Sequence, residues 1–499
     1  MPKKTDPLEP IIAIQSWLRP ALTPVPCNVD HQRSVETLEN ISALLRDCAL
    51  ESQAVDIALA NFGPADPVAR SRHAEFAIGS LRVAVLRHLL GMPSYRELSR
   101  QICRSDLLAD FCGLNHIDGI RGAAKSTLER RCRLFSQEEL KDMLATLTTV
   151  CGNRDLSEAI GLEEPVAMDV CLIDSTCLDA NIHYPVDWVL LRDVSLTLLK
   201  AVRLIRNAGV KVRMPCEPEQ FQTQINKLCT EMTHARRKKD SKAQRKRILR
   251  QMKQWLKSVG AHAQRHRDKF EKLQGQTGLS PKQVGQIIGR IDKMLGLIPT
   301  VIHQAHERII GGRPVSNKDK VLSVHDSDVN VVVRGKAGKE VEFGNTLTLC
   351  ESMSGYVTDW CLYRDKAPSE PCQLRESLDR QNKLDLDDPI SALSTDRGFA
   401  SKAISRLLER NAIYDATCPR DVSTLRERLT DERFRNLQWR RASTEARIST
   451  VMNRWIGGRV RCRSYSKRAL DVGWAVLAHN LWFLSRMLSE QRQRQRAAA

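Results

Sequence analysis

The stretch VAMDVCLIDST, at 166–176, limits the fold of this chain more than any other segment. It is an almost continuous apolar run whose alternate residues would lie on opposite faces of a strand, with Asp174 near its end. Such a run suits a strand covered on both faces, and an acid at its end must be hydrated, paired or bound to a metal. We therefore expect a buried strand that presents Asp174. Simple capping of the next turn by this residue is the alternative.

A second segment has the same design. From Ile390 the sequence ISALSTDRGFASKAISRLLERN predicts a strand, Asp396 at its end, a glycine turn and a helix that begins near Ser401. Open sheets place their chemistry at the carboxyl ends of their strands. Asp174 and Asp396 are therefore candidates for one shared site.

A third acid, Glu445, lies in a helical pattern. Arg441 precedes it by one turn, and Ile448 and Met452 follow on later turns, so the face around Glu445 is otherwise apolar. Acids on the inward faces of helices are rare. We expect Glu445 to point inward for a functional reason.

The charge balance favours a polyanionic partner. The chain has 78 Lys and Arg against 59 Asp and Glu, a formal net charge of +19. Neutralisation of phosphates by Lys and Arg drives most non-specific nucleic-acid binding, and a membrane surface is the weaker alternative. No apolar run reaches the ~18 residues of a spanning helix, and the N-terminus lacks the apolar segment of a signal peptide. We expect a cytoplasmic protein with no membrane partner.

The cysteines and histidines give little indication of a zinc site. The 15 cysteines are scattered without a C-x-x-C pair, which favours reduced and mostly buried thiols. His303 and His306 form an H-x-x-H on a predicted helix, but no second ligand pair lies nearby in sequence. A surface helix is the favoured interpretation of this motif.

The periodicity predicts an α+β or α/β chain in which a mixed-sheet core is flanked and interrupted by helices. We predict a helical DNA-binding or dimerisation domain at 1–155, followed by the first part of the core at 160–190. A basic helical insertion at 191–318 then separates this part from the remainder of the core at 319–488, which contains a hairpin turn at Gly335 to Gly338. Residues 489–499 are predicted to be a basic disordered tail. Lys125 is one of several outward basic residues in the first domain. A helix-turn-helix-like DNA reader and a packing domain with a solvated basic face both remain open there.

The insertion contains the most basic segment of the chain. Eleven Lys and Arg lie between Arg236 and Lys257, and the apolar residues among them keep helical spacing. This pattern predicts a helix with one packed face and one basic face. Lys246 and Arg250 are candidates for contact with a DNA backbone, and a merely solvated helix is the alternative.

Three acids on separate core elements could converge on a two-metal site. Two divalent cations about 3.5–4 Å apart need bridging and flanking carboxylates, because Mg²⁺ prefers hard oxygen ligands. Without cations, clustered acids would raise one another's pKa. We therefore expect two Mg²⁺ or Mn²⁺ ions held by Asp174, Asp396 and Glu445. Asp169 is the rival for the first position, but it falls on the other strand face and lacks the Ser-Thr pair that follows Asp174.

From about Phe76 onward the chain resembles the DDE transposases of bacterial insertion sequences, and most closely the ISNCY-type and related groups. The resemblance is carried by IDST with NIHYPVDWVLL, RGKAGKEVEFGNTLTLCE, TDRGFAS, RRASTEARISTVMNRW, RVRCRSY and VGWAVLAHNL, in this order. It implies a ribonuclease-H-like catalytic core with a helical insertion after the first strand. By this resemblance Asp174, Asp396 and Glu445 are the first, second and third catalytic acids.

Two sites depart from the pattern of the resembled family. Ser443 and Thr444 stand where relatives tend to have a small Ala-Gly pair, and Gln438 replaces the tyrosine of the Tyr-x-x-Arg-x-x-x-Glu pattern of some groups. These changes bear on helix packing or on contact with a DNA end, and they leave the three acids unchanged.

The resemblance implies a transposase that binds the terminal inverted repeats of an element in double-stranded DNA. It would cut at the element ends and join the freed 3′-hydroxyl to target DNA, in the bacterial cytoplasm and nucleoid. Synapsis of two ends would require a homodimer or higher oligomer. The alternatives are a domesticated or decayed DNA-binding protein and a metal-dependent nuclease without strand transfer.

Four arginines near the predicted acids are candidates for holding the scissile strand, because phosphoryl transfer depends on positioning and electrostatics. For each of them, ordinary surface ion pairing is the alternative. They are Arg397, Arg441, Arg447 and Arg454.

Overall fold

The structure is a computed structural model of the chain and describes residues 20–25, 28–63, 66–238, 241–336, 339–458 and 460–498. It has a mixed α+β fold, in which helices predominate and the larger sheet contains both parallel and antiparallel strand pairs. The predicted fold class is confirmed at this level. The chain divides into two compact units, one formed by Met1–Asp179 with Asn345–Ala499 and the other by Ala180–Gly344.

The first unit begins with helices that share an apolar core. Several of them start at capping residues, since the side chains of Asn28, Asp66 and Ser94 accept hydrogen bonds from the N–H three residues later. The elements are α1 (Val29–Asp47), α2 (Leu50–Phe62), α3 (Pro67–Leu89), α4 (Tyr95–Arg104), α5 (Asp106–Phe111), the hairpin strands β1 (Asn115–His116) and β2 (Gly119–Ile120), α6 (Lys125–Arg131), α7 (Gln137–Gly152), α8 (Arg154–Ala159) and the strand β3 (Val170–Asp179).

The second unit is built mainly from long helices. They are α9 (Asp187–Asn207), α10 (Pro218–Arg236), α11 (Lys242–Lys272) and α12 (Pro281–His306), followed by a π-helical turn (Glu307–Gly311) and by β4 (Asn330–Lys336), which pairs antiparallel with the first part of β5 (Lys339–Glu351). The apolar stripe of α11 is buried at Ile248 and Met252, whereas Lys246 and Arg250 are exposed. The segment 191–318, predicted as a helical insertion, lies within this unit. Residues 337 and 338 of the predicted hairpin turn lie outside the described residues.

The sheet of the first unit has β3 at its centre. The remaining elements are β6 (Val357–Leu362), α13 (Glu370–Gln381), β7 (Ala392–Ser394), α14 (Lys402–Arg410), β8 (Tyr414–Asp415), α15 (Val422–Arg428), α16 (Glu432–Thr450) and α17 (Tyr465–Ala498). In this unit the strand order is β6-β5-β3-β7-β8. β5 runs antiparallel to β6, and β7 runs parallel to both β3 and β8. The predicted helix start near Ser401 is confirmed, because its hydroxyl caps α14.

Two helices complete the first unit. α16 packs against β3 and β7 and continues through a π-helical turn (Val451–Trp455), whereas α17 packs against α1, α3 and α7. Residues 489–498, predicted as a disordered tail, extend α17 as a helix. In the described parts of the chain, no helix has the length and apolarity that crossing a membrane requires.

Candidate active site

The parallel pairing of β3 and β7 brings two of the predicted acids side by side. The last register pair joins Leu172 to Ser394. Continued by two residues, this register sets Asp174 opposite Asp396, which follows β7 in a short loop. The hydrogen-bonded ladder itself ends at Leu172 and Ser394, and Asp396 lies two residues beyond it.

Asp174 lies inside its strand, and the predicted position at the strand end is wrong. β3 begins at Val170 instead of 166 and continues to Asp179. The strand persists because its later residues are also covered: Leu178 is fully buried and Asp174 itself is only 8% exposed. A buried strand covered on both faces, as predicted, thus carries the carboxylate in its middle.

Asp169, the rival first acid, has a structural role at the other end of the pairing. Its Oδ2 accepts a hydrogen bond from the Ser391 hydroxyl at 2.8 Å, and its carbonyl oxygen accepts one from the Ser391 N–H at 2.6 Å. These bonds join the chain just before β3 to the chain just before β7. The Asp169 carboxylate therefore helps to hold the starts of β3 and β7 together.

The charges of the other two predicted acids act on Asp174. Burial raises the pKa of its carboxyl above the usual range, and the negative charges of Asp396 and Glu445 raise the pKa further. The N–H of Ser175, which donates to Oδ1 at 2.7 Å, and the positive charge of Arg441 lower the pKa. Two acids and one arginine from distant parts of the sequence thus lie within electrostatic range of Asp174.

Glu445, the third predicted acid, lies on α16. Its side chain is exposed, whereas its neighbours Thr444 and Ile448 are buried. The predicted inward orientation of Glu445 is therefore wrong: the helix rests on the sheet through the face of Thr444 and Ile448, and Glu445 lies beside that face. Its charge nevertheless influences Asp174.

The loop after β7 holds Asp396 and brings another acid close. The N–H of Gly398 donates to Asp396 Oδ1 at 2.9 Å. A Cβ at Gly398 would lie 1.7 Å from Glu370 Oε2 and 3.2 Å from Asp396 Oδ1, so both carboxylates border this glycine. Sequence reasoning missed Glu370, because nothing in the sequence indicates that the start of α13 meets the loop after β7.

The donor chemistry of the three predicted acids fits a hard divalent cation. Asp174, Asp396 and Glu445 offer only carboxylate oxygens, which Mg²⁺ and Mn²⁺ prefer. Burial raises the pKa of Asp174 and the charges of Asp396 and Glu445 raise it further, and a bound cation would offset this repulsion. Within the described residues, no three His, Cys, Asp or Glu side chains are already arranged to hold an ion.

Arg441 and Arg397 lie beside the acids. Arg441 influences the pKa of Asp174, and its Nε is buried without a hydrogen-bond partner in the described part of the chain. Arg397 is exposed next to Asp396. The exposed Arg397 therefore has donors that could meet a phosphate, whereas Nε of Arg441 is not accessible to one.

Arg447 and Arg454, also predicted to hold DNA, make contacts within the first unit. Arg447 Nε lies 3.0 Å from Glu351 Oε2. Arg454 stacks over Trp455 and Trp482, with its guanidinium carbon 4.7 and 4.4 Å from the ring centroids. Arg447 therefore forms an ion pair within the protein, which was the alternative to contact with DNA.

Gln438 of α16, noted in the sequence as a departure that bears on helix packing or DNA-end contact, makes contacts within the first unit. Its Nε2 donates to the carbonyl oxygens of Thr395, at 3.1 Å, and Ala416. It also lies 3.2 Å from the Ser394 hydroxyl. The residue that replaces the family tyrosine thus ties α16 to the strand end that carries Asp396.

The other predicted site residues lie apart from the acids along the chain. Lys125 is exposed at the start of α6, and Lys246 and Arg250 are exposed on α11. His303 and His306 lie on α12 and belong to no metal-ready group among the described residues.

Comparison with known proteins gives no match to a protein-family model, to a curated protein or to a solved structure. The functional assignment therefore depends on the geometry above and on the motif resemblance.

Proposed function

We propose that this chain is a DDE-type DNA transposase in which Asp174, Asp396 and Glu445 act together in DNA cleavage and strand transfer. One observation carries the proposal: the parallel pairing of Leu172 with Ser394 brings Asp174 and Asp396 to the same part of the sheet, where the charges of Asp396 and Glu445 both act on Asp174. Convergence of acids from a strand, the loop after a neighbouring strand and a helix is what a shared catalytic site requires.

The topology of the first unit supports a ribonuclease-H-like core. β3 is the first strand of the larger sheet along the chain and lies at its centre, with β5 on one side and the parallel strand β7 on the other. The second unit, Ala180–Gly344, lies in the sequence between β3 and the end of β5, which agrees with an insertion after the first strand.

In this proposal the first unit supplies acids for cations and arginines for phosphates. Asp174, Asp396 and Glu445 would hold two Mg²⁺ or Mn²⁺ ions, which promote attack by a water or a 3′-hydroxyl and stabilise the leaving oxygen. The half-buried Arg441 lies near Asp174, where its positive charge acts on the carboxylate, and the exposed Arg397 next to Asp396 could donate to a phosphate oxygen. Sheet hydrogen bonds and the Gly398 N–H orient the aspartates.

The basic face of α11 supports binding to a DNA backbone. Lys253 is half-buried, and burial lowers its pKa, with a smaller contribution from the positive charge of Lys257 one turn away. Such a row could neutralise successive phosphates over about 22 Å of helix. Its members recur every three or four residues and are Lys242, Lys246, Arg250, Lys253 and Lys257.

Alanine variants of the three acids test the proposal. The substrate is a DNA fragment that carries the sequences flanking the gene, and the assay measures Mg²⁺-dependent nicking and end joining. Asp174→Ala, Asp396→Ala and Glu445→Ala should each abolish cleavage and leave DNA binding nearly intact. Asp169→Asn is the matched control, because its amide oxygen can still accept the Ser391 hydrogen bond.

The outcomes separate the candidate functions. Cleavage at the wild-type rate by any of the three alanine variants would remove that residue from the site. Metal-dependent cleavage without joining would identify a nuclease. DNA binding by the wild-type protein without cleavage in Mg²⁺ or Mn²⁺ would indicate a decayed or domesticated protein, as would the absence of inverted repeats around the gene.

A further inference from the structure

Glu351, the last residue of β5, has a fully buried carboxylate that is shared by two arginines. Its side chain is 0% exposed; Oε1 lies 3.2 Å from Arg440 Nη1, and Oε2 lies 3.0 Å from Arg447 Nε. A buried charge is unfavourable unless it is paired and hydrogen-bonded, so this carboxylate depends on both partners.

Both arginines belong to α16, and the turn after β5 completes their binding. Arg440 also donates to the carbonyl oxygens of Met353, at 2.8 Å, and Ser352, at 3.3 Å. The Arg447 guanidinium lies against Gly355, where a Cβ would come within 2.1 Å of Nη2. Glu351 and this turn therefore bind two arginine side chains of the same helix, α16.

The positions of these contacts restrict how α16 can move. At about 100° per residue, Arg440 and Arg447 share one side of the helix, and Glu445 lies about 140–160° away from them. Gln438 lies about 20° from Glu445 on that scale, and it is bound to Thr395 and Ala416. Hydrogen bonds thus hold α16 on both flanks of the face that packs on β3 and β7.

We propose that Glu351 is a positioning residue. Through Arg440 and Arg447 it fixes the rotation and the axial position of α16, and with them the location of Glu445 beside Asp174. The helix packs on the sheet through apolar side chains, which allow small rotations, whereas two ion pairs separated by two turns do not. This role for Glu445 rests on the proposed function, but the attachment of α16 to Glu351 does not.

The test uses full-length protein and two measurements. One is the Mg²⁺ concentration that gives half-maximal DNA cleavage, and the other is hydrogen–deuterium exchange of peptides from 437–450. Glu351→Gln keeps the shape and removes the charge. It should raise the half-maximal Mg²⁺ concentration by about tenfold or more, as loss of outer-shell support does at metal sites, and it should speed exchange in α16. Glu351→Asp keeps the charge, so its half-maximal Mg²⁺ concentration and its exchange in α16 should both lie close to the wild-type values.

A matched control is available in the same sheet. Asp359 on β6 is a buried carboxylate whose Oδ2 lies 2.7 Å from Arg380 Nη2 on α13, so its ion pair does not involve α16. Asp359→Asn should lower the Tm and leave the Mg²⁺ requirement and the exchange of 437–450 unchanged. Gly355→Ala displaces the Arg447 guanidinium and should act in the same direction as Glu351→Gln.

The proposal is overturned if Glu351→Gln keeps the wild-type Mg²⁺ requirement, or if Asp359→Asn raises that requirement equally. Wild-type exchange in 437–450 of Glu351→Gln would overturn the attachment itself. If Glu351→Gln does not fold, Gly355→Ala must still show the two effects, and Glu351→Asp must lack most of them. Absence of cleavage by the wild-type protein would refute the proposed function, and the exchange experiment would then decide the attachment alone.

Discussion

Replacement of Asp174 by asparagine should stabilise the protein in the absence of metal. Burial is the largest cause of the raised pKa of this carboxyl, with Asp396 and Glu445 adding to it. A raised pKa in the folded state means that folded protein holds the proton more tightly than the unfolded chain does. Ionisation of Asp174 therefore destabilises the fold: the penalty is absent below the ordinary carboxyl range and grows as the pH rises through the raised pKa.

The size of this effect follows from linkage. Each unit by which the pKa is raised corresponds to about 1.4 kcal/mol at neutral pH, and each kcal/mol shifts the Tm of a large unit by about 2 °C or less. Asparagine removes the charge and keeps an oxygen that can accept the Ser175 N–H. Asp174→Asn should thus melt above the wild-type protein at pH 7–8, and the difference should narrow as the pH falls through the raised pKa toward the ordinary carboxyl range.

Divalent cations should reverse the order of the two melting temperatures, so that the wild-type protein melts above Asp174→Asn. If Asp174 is a ligand, Mg²⁺ stabilises the wild-type protein by about 1.4 kcal/mol at ten times its Kd, and it stabilises Asp174→Asn much less. Differential scanning fluorimetry over this pH range, with and without Mg²⁺, measures both effects. Asp169→Asn serves as control and should show neither. A lower metal-free Tm for Asp174→Asn at neutral pH would refute the electrostatic reasoning, and equal Mg²⁺ stabilisation of both proteins would refute the ligand role.

Two further predictions concern DNA contact and the loop after β7. Joint replacement of Lys246 and Arg250 by alanine should weaken DNA binding for all sequences alike and should lower the slope of log K against log salt by about two, one per phosphate contact; an unchanged slope in a salt titration would exclude α11 from the interface. Gly398→Ala should displace Glu370 and shift Asp396, because its Cβ would lie 1.7 Å from Glu370 Oε2. DNA cleavage should fall while DNA binding persists, and wild-type cleavage by this variant would show that the loop tolerates the change.

Local sequence patterns predicted the two strands that lead to Asp174 and Asp396, because the signals for a strand, a turn and a helix cap lie within a few consecutive residues. The segment from Ile390 shows a strand, a glycine turn and a serine cap in direct succession, and Ser401 does cap α14. The bounds of β3 were harder to predict, since an apolar strand covered on both faces has no polar residue to mark its end. Asp174 consequently lies in the middle of β3 and not at its edge.

The orientation of α16 could not be read from its periodicity. The pattern identifies an apolar side but not which part of that side meets the sheet, so Glu445 was predicted to point inward and is exposed. Its predicted grouping with Asp174 came from the placement of acids on separate core elements and from the motif resemblance, because no local rule links residues so far apart in sequence.

The contacts of Glu351 and Gln438 lay beyond sequence reasoning for a related reason. A buried carboxylate shared by two arginines is defined only by tertiary structure, and the same residue types would be equally plausible on the surface. The one available signal was an acid at the end of the apolar run TLTLCE, the same arrangement that drew attention to Asp174.

Anomalous diffraction from crystals of the full-length protein with DNA ends and Mn²⁺ tests the central claim most directly. The account predicts two Mn²⁺ ions about 3.5–4 Å apart, with Asp174 contacting the pair and Asp396 and Glu445 each contacting at least one ion. Mn²⁺ bound elsewhere in the protein, with none of the three carboxylates in contact, would contradict it.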